Sequence, residues 1–278
     1  MIAVAVPLFP QPKQPIRMKP RIAVAADSIK LPLRKVIPLA PEMDADGLQL
    51  VLGSDVNVAE MTESARRQLL RELGERGLRI AALFVPVDRG LAEFAGLDAR
   101  LDRIKQGMML SFQLKAAATT FRIGRIPGET ASDEYETLVA VLNDLARYAN
   151  HVGALPAMTI FGDAAEDVAR LVGRIVEGPI GISLDPSLVA VSGHSPVDAF
   201  RTLFPSVNEI VVRDAVRDMD GTVHEVPVGR GEVPWDEFLS QTSEAEFNGW
   251  FVVKRTQGDD KAGDMARAIR FVRNVRPQ

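Results

Sequence analysis

Short apolar runs alternate with longer amphipathic segments from Arg21 to the end of the chain. Eight of these runs have the length and the continuous apolar character of strands buried on both faces of a parallel sheet. The predicted strands are residues 22–26, 47–52, 78–84, 117–122, 155–160, 180–185, 209–213 and 250–254. Apolar residues recur at helical spacing between them, with helices predicted around 63–76, 98–114 and 196–203. The pattern therefore predicts eight βα units.

Eight βα units favour an α/β fold of the closed (β/α)8 type, the TIM barrel. An open doubly wound sheet is less favoured, because no glycine-rich dinucleotide-binding fingerprint follows the first strand. The length of 278 residues suits one such barrel, which typically uses about 250 residues. We predict a single barrel over residues 21–278. The five prolines within residues 1–20 predict a loosely packed N-terminal extension before it.

Composition and net charge argue against several classes of binding partner. The formal net charge of −4 argues against a general nucleic-acid or membrane-surface role, because anionic phosphates do not attract such a surface. The absence of cysteine excludes disulfides and thiolate metal sites. No apolar stretch reaches the roughly 20 residues that span a bilayer, and the N-terminus lacks the basic region of a signal peptide. We expect a cytoplasmic protein, and a homo-oligomer remains open.

Three segments in the second half of the chain resemble those of a known family. They are residues 183–188 (SLDPSL), 226–235 (VPVGRGEVPW) and 248–250 (NGW). In order and spacing they are similar to segments of the xylose-isomerase-like TIM barrels, a family of sugar and sugar-phosphate isomerases and epimerases. The resemblance covers roughly residues 20–278. It implies proton transfer next to the carbonyl of a sugar or sugar phosphate.

The resemblance also implies a divalent metal, which the family binds through carboxylates and imidazoles at the ends of strands five to eight. The corresponding positions here hold Thr159, Asp185, Val211 and Lys254. Only Asp185 is a ligand of the expected kind, because a protonated lysine has no lone pair to donate to a metal. We therefore expect no cofactor, and no catalytic manganese, magnesium or zinc ion.

Cationic side chains surround these positions instead, at the strand ends where barrel enzymes build their sites. Guanidinium groups match phosphate and carboxylate oxygens. We predict a site for an anionic small molecule, a sugar phosphate or a sugar acid. The predicted substrate-binding residues are Arg122, Arg213, His224, Arg230 and Arg255, and the predicted catalytic residues are Asp185 and Lys254.

Structural interpretations of the same residues remain open. Lys254 could pair internally with Asp185, and Arg213 with Asp27 or Asp214. The loop from Gly229 to Gly231 could cradle a phosphate on its backbone amides, although a tight turn before a helix is the preferred interpretation.

Two functions stay open at this point. In the first, the protein is an enzyme in which Lys254 or an arginine stabilises an enediolate and Asp185 moves the proton. In the second, it is a pseudoenzyme that binds an anionic small molecule without turnover. Fold alone does not distinguish them.

Deletion of residues 1–17 should leave folding intact, because this arm has no pattern that could complete a sheet. Thermal unfolding of the truncated protein should begin within a few degrees of the full chain. An insoluble product, or a clearly lower melting temperature, would show that the arm is structural.

Overall fold

The computed structural model describes residues 19–128 and 132–274. Eight parallel strands close into a barrel in the order β1-β10-β7-β6-β5-β4-β3-β2, which confirms the predicted (β/α)8 architecture. The barrel strands are β1 (Arg21–Ala25), β2 (Gly47–Val51), β3 (Arg79–Val85), β4 (Thr119–Arg122), β5 (Pro156–Thr159), β6 (Gly181–Leu184), β7 (Val207–Val212) and β10 (Trp250–Val253). Each one overlaps a strand predicted from the sequence. An antiparallel hairpin, β8 (Asp214–Arg217) and β9 (Val223–Val226), follows β7 and was not predicted.

Helices connect the strands on the outside of the barrel. They are α1 (Leu33–Glu42), α2 (Glu63–Gly74), α3 (Leu97–Gln113), α4 (Ser132–Val152), α5 (Ala165–Gly173), α6 (Pro186–Val191), α7 (Pro196–Leu203), α8 (Trp235–Glu244) and α9 (Lys261–Asn274). The helices predicted around 63–76, 98–114 and 196–203 correspond to α2, α3 and α7. Helix α1 was missed because Pro38 and Pro41 lie inside it, where proline normally breaks a helix.

Two apolar layers hold the barrel together. The larger one lies between the strands and the helices and contains Ile22, Val24, Ile80, Leu83, Ile182 and Leu184, all predicted as core and all buried. The predicted core residue Val252 belongs to the inner layer, with Ala23, Ala25, Ala81 and Trp250. A Cβ on Gly47 would lie 3.0 Å from the Trp250 ring, so a glycine leaves room for the indole. Trp250 begins its strand, so it fills the N-terminal end and leaves the C-terminal mouth for a site.

The barrel elements run from Arg21 to Asn274, and most of the predicted extension, residues 1–18, lies outside the described residues. Arg273 of α9 lies 2.7 Å from Asp46 and donates to the Pro20 carbonyl, which ties the last helix to the start of the first strand. Among the helices described, none is long and apolar enough to cross a membrane.

Candidate functional site

A pocket of about 200 Å³ opens at the C-terminal ends of the barrel strands. Its apolar wall includes Phe84, Phe161, Leu188 and Val211. Five ionisable side chains also line it: Arg122, Asp185, Glu209, Arg213 and Lys254. The pocket thus gathers four of the seven predicted site residues and one glutamate that the sequence analysis did not select.

Glu209 contributes a buried carboxylate to the pocket and is only 2% exposed. Its Oε1 accepts hydrogen bonds from Gln49 Nε2 at 3.0 Å and from Ser183 Oγ at 2.7 Å. Its Oε2 is buried and has no hydrogen-bond partner among the residues described. Burial raises the pKa of Glu209 to about 7, although the two hydrogen bonds and the charge of Lys254 act in the opposite direction. This carboxyl group is therefore poised to change protonation near neutral pH.

Asp185 is held on both of its oxygens. Oδ1 accepts hydrogen bonds from Ser187 Oγ at 2.6 Å and from the Ser187 and Leu188 amides, which caps the N-terminus of α6. Oδ2 lies 2.7 Å from Arg213 Nε in a largely buried ion pair. The side chain is 4% exposed, so little of it is free to approach a ligand.

The ion pair corrects the internal pairing considered in the sequence analysis. That alternative joined Lys254 to Asp185 and Arg213 to Asp27 or Asp214, and the structure joins Arg213 to Asp185 instead. The reason is strand order, since β7 lies between β6 and β10. Arg213 follows the strand next to Asp185, whereas Lys254 follows a strand one further away.

Lys254 and Arg122 approach the same aromatic ring. Lys254 Nζ lies 5.3 Å from the centroid of Phe84, and Arg122 Cζ lies 5.7 Å from it, so both make cation–π contacts. Within the described parts of the chain, neither side chain forms a salt bridge to a carboxylate. The mouth of the pocket therefore presents two cations that are not neutralised by direct contact.

Two aspartates, Asp27 and Asp55, follow β1 and β2, and Asp55 lies within electrostatic range of Lys254. Asp55 Oδ2 accepts a hydrogen bond from the Val51 amide at 2.8 Å. Burial, with a smaller contribution from the charge of Asp27, raises the pKa of Asp55 to about 6, although the Val51 hydrogen bond and the charges of Lys254 and Lys30 act in the opposite direction. Lys254 is thus electrostatically coupled to Asp55 and to Glu209, without direct contact with either at ion-pair distance.

Three predicted substrate-binding residues lie outside the pocket lining. His224 Nε2 lies 3.0 Å from Asp218 Oδ2 across the β8–β9 hairpin, and both side chains are more than half exposed. Arg230 is exposed on the loop after β9. Arg255 is buried and pairs with Glu225 at 3.3 Å and with Asp264 at 2.9 Å. These contacts give Arg255 a structural role in fastening the hairpin and α9 to the barrel.

The glycine loop after β9 is organised around Asp214, which is fully buried. Asp214 Oδ2 accepts hydrogen bonds from the amides of Gly229 and Gly231 at 2.9 and 3.0 Å, and from the Trp235 indole at 3.0 Å. Oδ1 accepts from the Ala215 and Val233 amides. A Cβ on Gly231 would lie 2.1 Å from Asp214 Oδ1. The glycines therefore permit a tight turn, and their amides bind Asp214 instead of a phosphate.

The residues at the implied metal position do not fit a divalent cation. Asp185 is engaged by Arg213 and by the α6 amides, and the Lys254 ammonium in the same pocket would repel a cation. Over residues 19–128 and 132–274, no three acidic or histidine side chains come together in an arrangement that could hold a metal ion. The expected absence of a metal stays a prediction.

The chain belongs to the xylose isomerase-like TIM barrel family, whose model matches residues 37–275. No curated protein is significantly similar to it in sequence.

Solved structures share the fold at low identity. A xylose isomerase domain protein from Planctomyces limnophilus is 19% identical with a TM-score of 0.77, over 91% of this chain and 95% of that one. The probable 3-DHS dehydratase AsbF of Bacillus anthracis, involved in petrobactin synthesis, is 15% identical with a TM-score of 0.75, over 91% and 99%. D-psicose 3-epimerase from Clostridium cellulolyticum H10, solved with D-tagatose, is 12% identical with a TM-score of 0.72, over 92% and 99%.

Glu209 opens the seventh predicted strand and was given no role from the sequence. A usable signal was present in the strand period. Side chains alternate between the two faces of a strand, so Glu209, Val211 and Arg213 share one face. Since Arg213 was expected at the barrel mouth, the same reasoning places Glu209 inside the barrel.

Asp214→Asn should lower the free energy of unfolding by about 3 kcal/mol or more, because an amide nitrogen would face backbone and indole donors that now bond to a carboxylate. Urea unfolding measures this change. The control is Asp218→Asn on the exposed part of the same hairpin, which should change stability by about 0.5 kcal/mol or less. Equal stability of the two variants would show that Asp214 does not organise the loop.

Elemental analysis of the purified protein should find far less than one manganese, magnesium or zinc ion per chain. The reason is that Asp185 is already paired with Arg213 and that Lys254 in the same pocket would repel a metal cation. About one ion per chain that is lost in Asp185→Ala would contradict this.

Proposed function

We propose that the pocket binds a small anionic sugar derivative, a sugar phosphate or a sugar acid, through Lys254 and Arg122. The observation that carries the proposal is that both cations lie against Phe84 and that no carboxylate among the described residues forms an ion pair with either. The remaining predicted cations are less suited to the role. Arg213 is paired with Asp185, and Arg255 with two carboxylates.

The electrostatics of the mouth support an anionic ligand. Two cations directed at one ring repel each other, and an anion placed beside both would relieve that repulsion. Bonds between a charged donor and an anion are about twice as strong as neutral hydrogen bonds. The Asp185–Arg213 pair is already neutral as a unit, so it would neither attract nor repel the ligand strongly. An anionic group would then lie near Lys254 and Arg122, toward the rim.

The size of the pocket and the family support a sugar-sized molecule. About 200 Å³ is small compared with the 300–1,000 Å³ of pockets that hold drug-sized ligands. The family comprises xylose isomerase-like barrels, and one structural neighbour is a D-psicose 3-epimerase solved with D-tagatose. Proton transfer next to a carbonyl, as in an isomerase or epimerase, is the reaction we propose for this site.

Binding without catalysis is the second candidate. It is favoured by one specific observation, the full engagement of Asp185, which was the predicted proton-moving residue. If no other group in the pocket exchanges a proton with the ligand, the protein is a pseudoenzyme that retains an anion site.

Lys254→Met should weaken binding of phosphate, sulfate or sugar phosphates by roughly ten- to a hundredfold, because a charge-assisted bond contributes on the order of 1.5–3 kcal/mol. Titration calorimetry against these ligands measures the change. Lys115→Met is the matched control, since Lys115 is exposed between α3 and β4 at the opposite end of the barrel. No binding by the parent protein, or equal binding by Lys254→Met, would contradict the proposal.

A further inference from the structure

We infer that Glu209 is the proton-transfer residue of this pocket, the group that removes and returns a proton on a ligand held at the rim by Lys254 and Arg122. The inference rests on the proposed function. It assigns a role to a residue that the motifs shared with the family do not include.

The position of Glu209 is the first argument. It lines the same pocket as Lys254 and lies on the inward face of β7, below Val211 and Arg213. An anionic group bound at the rim would direct the rest of a small ligand inward, toward this carboxylate. Four residues of strand, at about 3.3 Å per residue, place the Glu209 backbone roughly 13 Å below that of Arg213, so Glu209 lies deeper in the barrel than the cations of the rim.

The orientation of the carboxylate is the second argument. Gln49 and Ser183 both donate to Oε1, so they fix the plane of the group, and Oε2 has no hydrogen-bond partner in the part of the chain that the structure describes. An unpartnered buried oxygen costs free energy, and native structures normally give such an atom a partner. A hydroxyl or an acidic C–H of a ligand would supply one. A glutamine at position 209 would accept the same two hydrogen bonds from Gln49 and Ser183, so these bonds alone do not require a carboxylate.

The charges around Glu209 allow it both to accept a proton and to donate one. Burial raises its pKa to about 7, so near neutral pH it can take a proton and also give it back. Lys254 on β10 opposes this shift, and Asp185 after β6 adds to it. From β2 the group faces only the neutral Gln49, and Arg122 and Arg213 complete the charged set at the rim.

The chemical step balances within the pocket. The carboxylate of Glu209 takes a proton from the carbon next to the ligand carbonyl. The electron pair of that C–H bond forms the carbon–carbon double bond, and the π pair of the carbonyl moves onto its oxygen. The resulting oxyanion lies in the field of the Lys254 ammonium. The proton of the hydroxyl on the deprotonated carbon moves to this oxyanion. Glu209 then returns its proton to the former carbonyl carbon, where the electron pair of the carbon–carbon double bond forms the new C–H bond, and the other oxygen becomes the carbonyl. The carboxylate is regenerated, and the ligand is isomerised without an external oxidant or reductant.

Exchange of ligand protons with solvent tests this step. Ribose 5-phosphate, xylulose 5-phosphate, fructose 6-phosphate and glucuronate are first screened for binding by calorimetry. The binders are then incubated with the protein in D₂O, and deuterium at the carbon next to the carbonyl is followed by NMR. Glu209→Gln should keep ligand affinity within about threefold and slow exchange at least ~100-fold. In the parent protein the exchange rate should rise with pH and level off above about 7, as Glu209 loses its proton.

The control is Glu75→Gln, at the exposed C-terminal end of α2, which should exchange at the parent rate. A merely structural Glu209 would leave exchange unchanged in the glutamine variant, since both hydrogen bonds survive. Binding by the parent without exchange, or equal exchange by Glu209→Gln, would overturn the role of Glu209 while leaving the anion site intact. Absence of binding by every probe would overturn the proposed function itself, together with this inference.

Discussion

The ion pair between Asp185 and Arg213 determines the character of the barrel mouth. It joins the ends of β6 and β7 at 2.7 Å, and the second oxygen of Asp185 caps α6. The one carboxylate that the family resemblance implied as a metal ligand is therefore engaged by the protein itself. Lys254, two strands away, is left without that partner and lies with Arg122 against Phe84. The charge that Lys254 adds to the rim is therefore not neutralised by Asp185.

Charge is arranged in layers along the axis of the barrel. Trp250 fills the N-terminal end, and Glu209, which pairs with Trp250 in the strand register, is hydrogen-bonded to Gln49 and Ser183. The cations stand nearest to solvent. A ligand that matches this arrangement carries an anionic group at one end, and hydroxyl groups and a carbonyl at the other. A sugar phosphate or a sugar acid has this form. Lys254 links the layers, because its charge acts on Glu209 as well as on Asp55.

The sequence was sufficient for the barrel because eight apolar runs, each short and buried, leave few other architectures. It also located Arg122, Asp185, Arg213 and Lys254 at one mouth, since parallel strands end together. The ion pairs among these side chains were harder to predict, because they depend on which strands are neighbours and on the direction of each side chain. The exposure of Arg230 and the outward pairing of His224 depend on a hairpin whose strands were too short to recognise. Glu209 was missed although its spacing from Arg213 places it on the inner face of the barrel, because its raised pKa depends on burial beside Gln49 and Ser183, and residue type alone does not show that burial.

The position of a bound anion is the most direct test of the central claim. A crystal soaked in tungstate, a heavy analogue of phosphate, would locate the anion by anomalous scattering. The account predicts a peak within hydrogen-bond distance of both Lys254 and Arg122, absent from crystals of Lys254→Met. A peak on the Gly229–Gly231 loop, or none in the pocket at a concentration that saturates binding in solution, would contradict it.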